Sequence, residues 1–200
     1  AARSMRTRYF RVTLLLALPL IAAGARASGE SPPEPVAGPC HPPCSQPVFV
    51  VTRSLNQNEL VYQANLTPDG FHPRVPLQVY WIMRTRGGTR EELTNLERNK
   101  AYGIKFLETG PHEVRFSVKA LEGVVFRADQ VETPAGALVR VLTTLDGDEI
   151  VVERIFLTTE GSLMPKVHHI DFSGTSTASH EPVVHRYVPK GAPKEGGEMA

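Results

Sequence analysis

Few residues in this chain combine the types and spacings that chemistry needs. His168-His169-Ile170-Asp171 is the one stretch that suggests a metal. On a strand, side chains alternate between faces, so His169 and Asp171 would share one. His185, in a run near the end of the chain, is the candidate third ligand, and two imidazoles with a carboxylate suit zinc or non-haem iron. Ordinary surface histidines are the opposing reading, because nothing in the sequence sets His185 in register with His169. A second group, Arg53, Tyr62, Tyr80, Glu97 and Tyr102, offers a guanidinium, phenols and one carboxylate. Arranged around one pocket, these would present a fork of donors to a small polar ligand. A plain ion pair between Arg53 and Glu97 is the structural alternative. Asn56 and Asn58 read as hairpin-turn residues, since asparagine tolerates left-handed backbone geometry. Cys40 and Cys44 are the only cysteines, spaced Cys40-His41-Pro42-Pro43-Cys44. They can close a very small disulfide loop, remain thiols, or contribute two sulfurs to an incomplete soft-metal site. No nucleophile elbow, phosphate loop, dinucleotide fingerprint or His-Glu-x-x-His occurs, so no catalytic residue and no cofactor can be assigned.

These residues must be positioned by short strands. Val48–Thr52, Leu60–Leu66, Leu77–Arg84, Ile104–Leu107, Glu113–Leu121, Val124–Val131, Ala137–Leu145, Glu149–Thr158, Val167–Phe172 and Pro182–Val188 are β-rich runs. Thr67-Pro68-Asp69-Gly70, Gly110-Pro111, Glu122-Gly123, Pro134-Ala135-Gly136 and Asp146-Gly147-Asp148 supply turns between them. Connections this tight make neighbours antiparallel, because a parallel pair needs a crossover of about a dozen residues. The expected fold is mainly β: an antiparallel meander of about ten strands, closed as a barrel or folded as a sandwich, with one short helix. Thr89-Arg90-Glu91-Glu92 has the form of a capping box, which predicts that helix over about 89–102. Tyr80 and Trp81 are adjacent and therefore face opposite ways. Trp81 sides with Leu77, Val79 and Met83 as a core ring, leaving Tyr80 for a cavity wall or a covered outer surface.

Composition sets the address. Residues 1–27 hold five arginines and no acid, and the other 173 residues carry 17 basic against 21 acidic groups, a formal −4. A mildly acidic domain exerts no long-range pull on nucleic acid or anionic lipid. Arg6, Arg8 and Arg11 precede an apolar run from Val12 to Ala25, and Ala25-Arg26-Ala27 offers small residues at a cleavage site. This is the form of a secretory signal, and the run is short for a bilayer span. Residues 28–46 and 190–200 are rich in Ser, Pro, Gly and Glu and read as a disordered tether and tail. The folded unit is expected over 47–189, in an exported, periplasmic or secreted protein with no membrane span after cleavage.

A family pattern is visible along the same unit. Val50-Val51-Thr52-Arg53-Ser54-Leu55-Asn56-Gln57-Asn58, Val61-Tyr62-Gln63-Ala64-Asn65, Val79-Tyr80-Trp81-Ile82-Met83 and Glu97 to Gly103 occur in order, followed by Leu163-Met164-Pro165-Lys166-Val167. Together they resemble domain-of-unknown-function family 4833, a family of exported bacterial proteins. The resemblance implies export and supplies no activity, ligand or catalytic residue. The sequence therefore points first to a non-enzymatic module of the cell envelope that binds a small or lipid-like ligand or an envelope protein. The alternative is a periplasmic enzyme using Arg53, Tyr62 and Glu97, or a metal at His169, Asp171 and His185.

Overall fold

A computed structural model describes residues 38–121, 123–160 and 166–189. The expected signal, most of the tether and the tail lie outside the described residues. Twelve strands form one sheet: β1 (Cys44–Arg53), β2 (Asn56–Thr67), β3 (Gly70–Phe71), β4 (Leu77–Met83), β5 (Thr89–Glu92), β6 (Ile104–Thr109), β7 (Glu113–Val118), β8 (Phe126–Thr133), β9 (Gly136–Leu145), β10 (Asp148–Glu160), β11 (Lys166–Ser176) and β12 (Pro182–Tyr187). Among the described residues one α-helix, α1 (Asn95–Lys100), lies between β5 and β6 in sequence.

The topology is two antiparallel meanders joined in an unexpected way. One runs β5-β4-β2-β1, with β3 paired on β2, and the other runs from β6 through β12. They meet where β1 pairs parallel with β10, Val50 opposite Arg154 to Arg53 opposite Leu157. Tight turns could not reveal this pair, because nearly a hundred residues separate the two strands. The 13-residue β10 makes it possible: its first residues pair with β9, its later ones with β1, and β11 lines its other edge. The barrel expectation is corrected as well. β5 and β6 end the path without pairing, so the sheet stays open.

The apolar faces of both meanders fold onto one core. Phe49 of β1, Phe116 of β7, Phe126 of β8 and Phe172 of β11 are fully buried. Phe126 sits 5.7 Å from Phe49, 5.3 Å from Phe116 and 6.4 Å from Phe172, centroid to centroid. Offset ring contacts of this kind add to the ~2 kcal/mol that burial of each apolar side chain contributes.

Three expectations about local structure change. Thr89 begins β5 rather than a helix, and the capping box belongs to Thr94. Thr94 Oγ1 accepts the Glu97 N–H and the Glu97 carboxylate accepts the Thr94 N–H, so α1 spans only six residues. The expected boundary at Pro47 falls inside β1, which begins at Cys44. Cys40 exchanges two backbone hydrogen bonds with Ala137, and Gln46 is fully buried with its Oε1 accepting from Val139 N–H. The Pro-rich segment therefore docks onto β9 from Cys40 onward. Cys40 and Cys44 form a disulfide within that docked stretch. No helix among the described residues is long and apolar enough to cross a membrane.

Candidate functional site

Arg53 closes β1 in a tight hairpin: it faces Asn56 of β2, with Ser54 and Leu55 between. Asn56 acts as the turn residue expected of it, its Oδ1 accepting the Asn58 N–H. Asn58 is buried, and its Oδ1 accepts from the N–H and hydroxyl of Thr85. Parallel pairing with Leu157 fixes the other side of Arg53. The backbone at Arg53 is thus held from two directions, and its half-buried side chain is carried to a defined place.

That place is an aromatic corner. The Arg53 guanidinium carbon lies 5.0 Å from the Trp81 ring centroid and 5.9 Å from that of Tyr102. Arg53 Nη1 donates to the Tyr102 hydroxyl at 3.2 Å, and the two rings meet edge to face at 5.6 Å. A cation over aromatic faces gains about 0.5–2 kcal/mol, more as water is excluded. No carboxylate pairs with Arg53 among the described residues, and its Nε–H is buried without a hydrogen-bond acceptor. The structural alternative, an ion pair between Arg53 and Glu97, does not form: the Glu97 carboxylate is bonded to Thr94 and Trp81 instead.

Glu97 holds the corner from behind. Its Oε2 accepts from the N–H and hydroxyl of Thr94, and its Oε1 accepts from the Trp81 indole at 3.1 Å. One carboxylate therefore caps α1 and orients the ring beneath Arg53. Tyr62, fully buried, donates its hydroxyl to the Tyr102 carbonyl at 2.8 Å and fixes the backbone that carries the second ring. Burial pushes the Tyr62 phenol far above its ordinary pKa, with Tyr102 adding to the effect. Burial also raises the Tyr102 phenol, opposed by Arg53 beside it. Both phenols are therefore neutral hydroxyls at physiological pH.

Of the five residues expected to converge, four do. Tyr80 is the exception, for the reason that alternation gives: it points to the opposite face of β4 from Trp81. There its hydroxyl donates to Gln63 Oε1, and the Arg90 guanidinium covers its ring at 3.7 Å. Trp81 takes the place assigned to Tyr80, and it is also the core residue expected of it, 6% exposed. Sequence reasoning missed that one ring can do both. No local signal links Trp81 to Arg53; the pairing of β1 with β2 and of β2 with β4 brings them together.

The histidine set comes apart. His169 and Asp171 share the outer face of β11, 3.7 Å apart at Nε2 and Oδ2. His185 lies opposite Phe172, whose ring is in the core, and so belongs to the other face. It contacts Asp148 at 3.1 Å, whereas Asp171 is engaged by Nε and Nη2 of Arg186 at 2.8 and 3.1 Å. His168 contacts Glu160. Among the described residues no three His, Cys, Asp or Glu side chains group to hold a metal.

A separate cavity of about 340 Å3 lies at the far end of β2, lined by Thr67, Phe71, His72, Pro76 and Pro111 among others. None of the expected site residues lines it.

The family described as Domain of unknown function (DUF4833) matches residues 49–186, from β1 into β12. The chain belongs to the DUF4833 family. Its matched span takes in Arg53, Tyr62, Trp81, Glu97 and Tyr102 together. No curated protein and no solved structure matches the chain.

Proposed function

We propose that this DUF4833 protein is an exported, non-enzymatic binding module that takes a small anionic ligand at Arg53. The observation that carries the reading is a half-buried guanidinium over Trp81 and Tyr102 with no carboxylate paired to it among the described residues. A buried or half-buried charge without a counter-charge is costly, so its retention favours a partner supplied from outside. Carboxylate and phosphate oxygens match the guanidinium fork, and the two rings offer an apolar wall beside it. The disulfide between Cys40 and Cys44 supports an oxidising compartment.

The same geometry weighs against proton-transfer chemistry at this corner. Both Glu97 oxygens are already accepting hydrogen bonds, and burial keeps the Tyr62 phenol protonated. A native mass spectrum of protein purified from its own host tests the proposal. A retained anionic adduct is expected, and Arg53→Gln should lose it while keeping the wild-type circular dichroism. An adduct that survives in a folded Arg53→Gln variant would contradict the assignment.

A further inference from the structure

β6 ends the sheet and, among the described residues, pairs with β7 alone. Every residue from Lys105 to Thr109 is exposed, including Phe106 at 39% and Leu107 at 50%. A free edge of this kind presents unpaired N–H and C=O groups as a template for another strand. β5, at the opposite end of the path, differs: its charges are taken up in pairs, Arg86 with Glu91, and Arg90 and Arg98 with Glu92. β12, a third edge, begins with Pro182 and carries His185 and Arg186 without an acid.

The charges of β6 are self-complementary in a way that depends on its bulge. Lys105 lies opposite Ser117 and Glu108 opposite Arg115, with the register shifting between Phe106 and Glu108. Ser117 and Arg115 are two apart on β7 and share its outward face, so Lys105 and Glu108 share that face too. In an unbulged strand, residues three apart would point to opposite sides. A second copy rotated about an axis between Phe106 and Leu107 sets Lys105 against Glu108 twice and Phe106 against Leu107 twice. Closed two-fold pairing demands this kind of self-match. Lys105 has no ion-pair partner among the described residues, and Glu108 has only a loose contact with Arg115 at 4.0 Å.

We propose that β6 is a homodimerisation edge, pairing antiparallel with β6 of a second copy through Lys105–Glu108 and Phe106–Leu107. A six-residue edge buries less than the ~1,200–2,000 Å2 of stable complexes, so the dimer is weak, with a dissociation constant in the micromolar range. Sedimentation velocity of the mature chain across micromolar concentrations should show a concentration-dependent dimer. Lys105→Glu alone and Glu108→Lys alone each set like charges opposite one another and should give monomer. The double exchange K105E/E108K should recover the dimer. All three variants change exposed side chains, and circular dichroism verifies that they fold. A wild-type chain that stays monomeric at hundreds of micromolar would overturn the proposal. So would a dimer indifferent to both single changes, or a folded double variant that stays monomeric.

Discussion

Two aspartates show how the surroundings of one residue set the sign of its contribution. The Arg186 guanidinium bonded to Asp171 holds that carboxyl below its ordinary pKa. A depressed folded-state pKa gives stability that is complete above the unfolded carboxylate range and disappears as pH falls through the folded value. Asp129 is the reverse. Burial is the first cause of its raised pKa, with Arg127 opposing and Glu113 assisting, and its Oδ1 is buried without a partner. Its contribution is present below the unfolded carboxylate range and is lost as pH rises through the folded value. Asp171→Asn should therefore melt below the wild type at pH 7, and Asp129→Asn above it. Both differences should close as both carboxyls protonate in acid; thermal melts across that range check the signs. Equal signs at pH 7 would contradict this reading of the two environments. Asp129 and Asp171 give no such warning in the sequence, because their neighbours come from pairing registers.

At the scale of elements, α1 shows why part of the site was legible and part was not. Two threonines, Thr89 and Thr94, each precede a Glu by three residues, and only Thr94 caps a helix. Thr89-Arg90-Glu91-Glu92 pairs with β4 instead, since a neighbouring strand is there to satisfy its backbone. Local propensity could not choose between them. Glu97, Tyr102 and Arg53 were nonetheless identified, because their types stand out from the strand pattern. Trp81 was assigned correctly to the core, and only its second contact was hidden. Thr94→Ala removes the cap and should cost about 1 kcal/mol in chemical denaturation. It should also weaken anion binding at the site proposed around Arg53, since Glu97 then loses the Thr94 bonds that hold it against Trp81. Unchanged affinity would detach the helix from the site.

The docked N-terminal segment alters another element-level expectation. As part of a free tether, the Cys40–Cys44 bridge would hardly matter. The backbone exchange of Cys40 with Ala137 places it on the fold instead. Constraining so short a loop is worth about 2 kcal/mol in the chain-entropy account. Replacing both cysteines by serine should lower stability by roughly that amount. A melt superimposable on the wild type would show that the segment contributes nothing.

At the scale of the whole molecule, the aromatic residues of the two meanders meet at one ring within the shared core. Phe126 touches Phe49 across the sheet as well as Phe116 and Phe172 within its own meander. Phe126→Ala should cost about 3–5 kcal/mol, a large part of the 5–15 kcal/mol typical of a domain. The β content and most turns follow from residue patterns over a few positions. The parallel β1–β10 pair and the open sheet do not, because they depend on which distant strand completes a long one. Arg53 owes its position to that pair, standing at the end of β1 where Leu157 of β10 faces it.

Trp81 is the only tryptophan in the chain, and the Arg53 guanidinium lies over it. Its fluorescence therefore reports on the proposed site with no label. Titrating the protein with small carboxylates and phosphates should give a saturable change for at least one class, absent in a folded Arg53→Met variant. No saturable response to either class, or the same response without Arg53, would contradict an anion site at this corner.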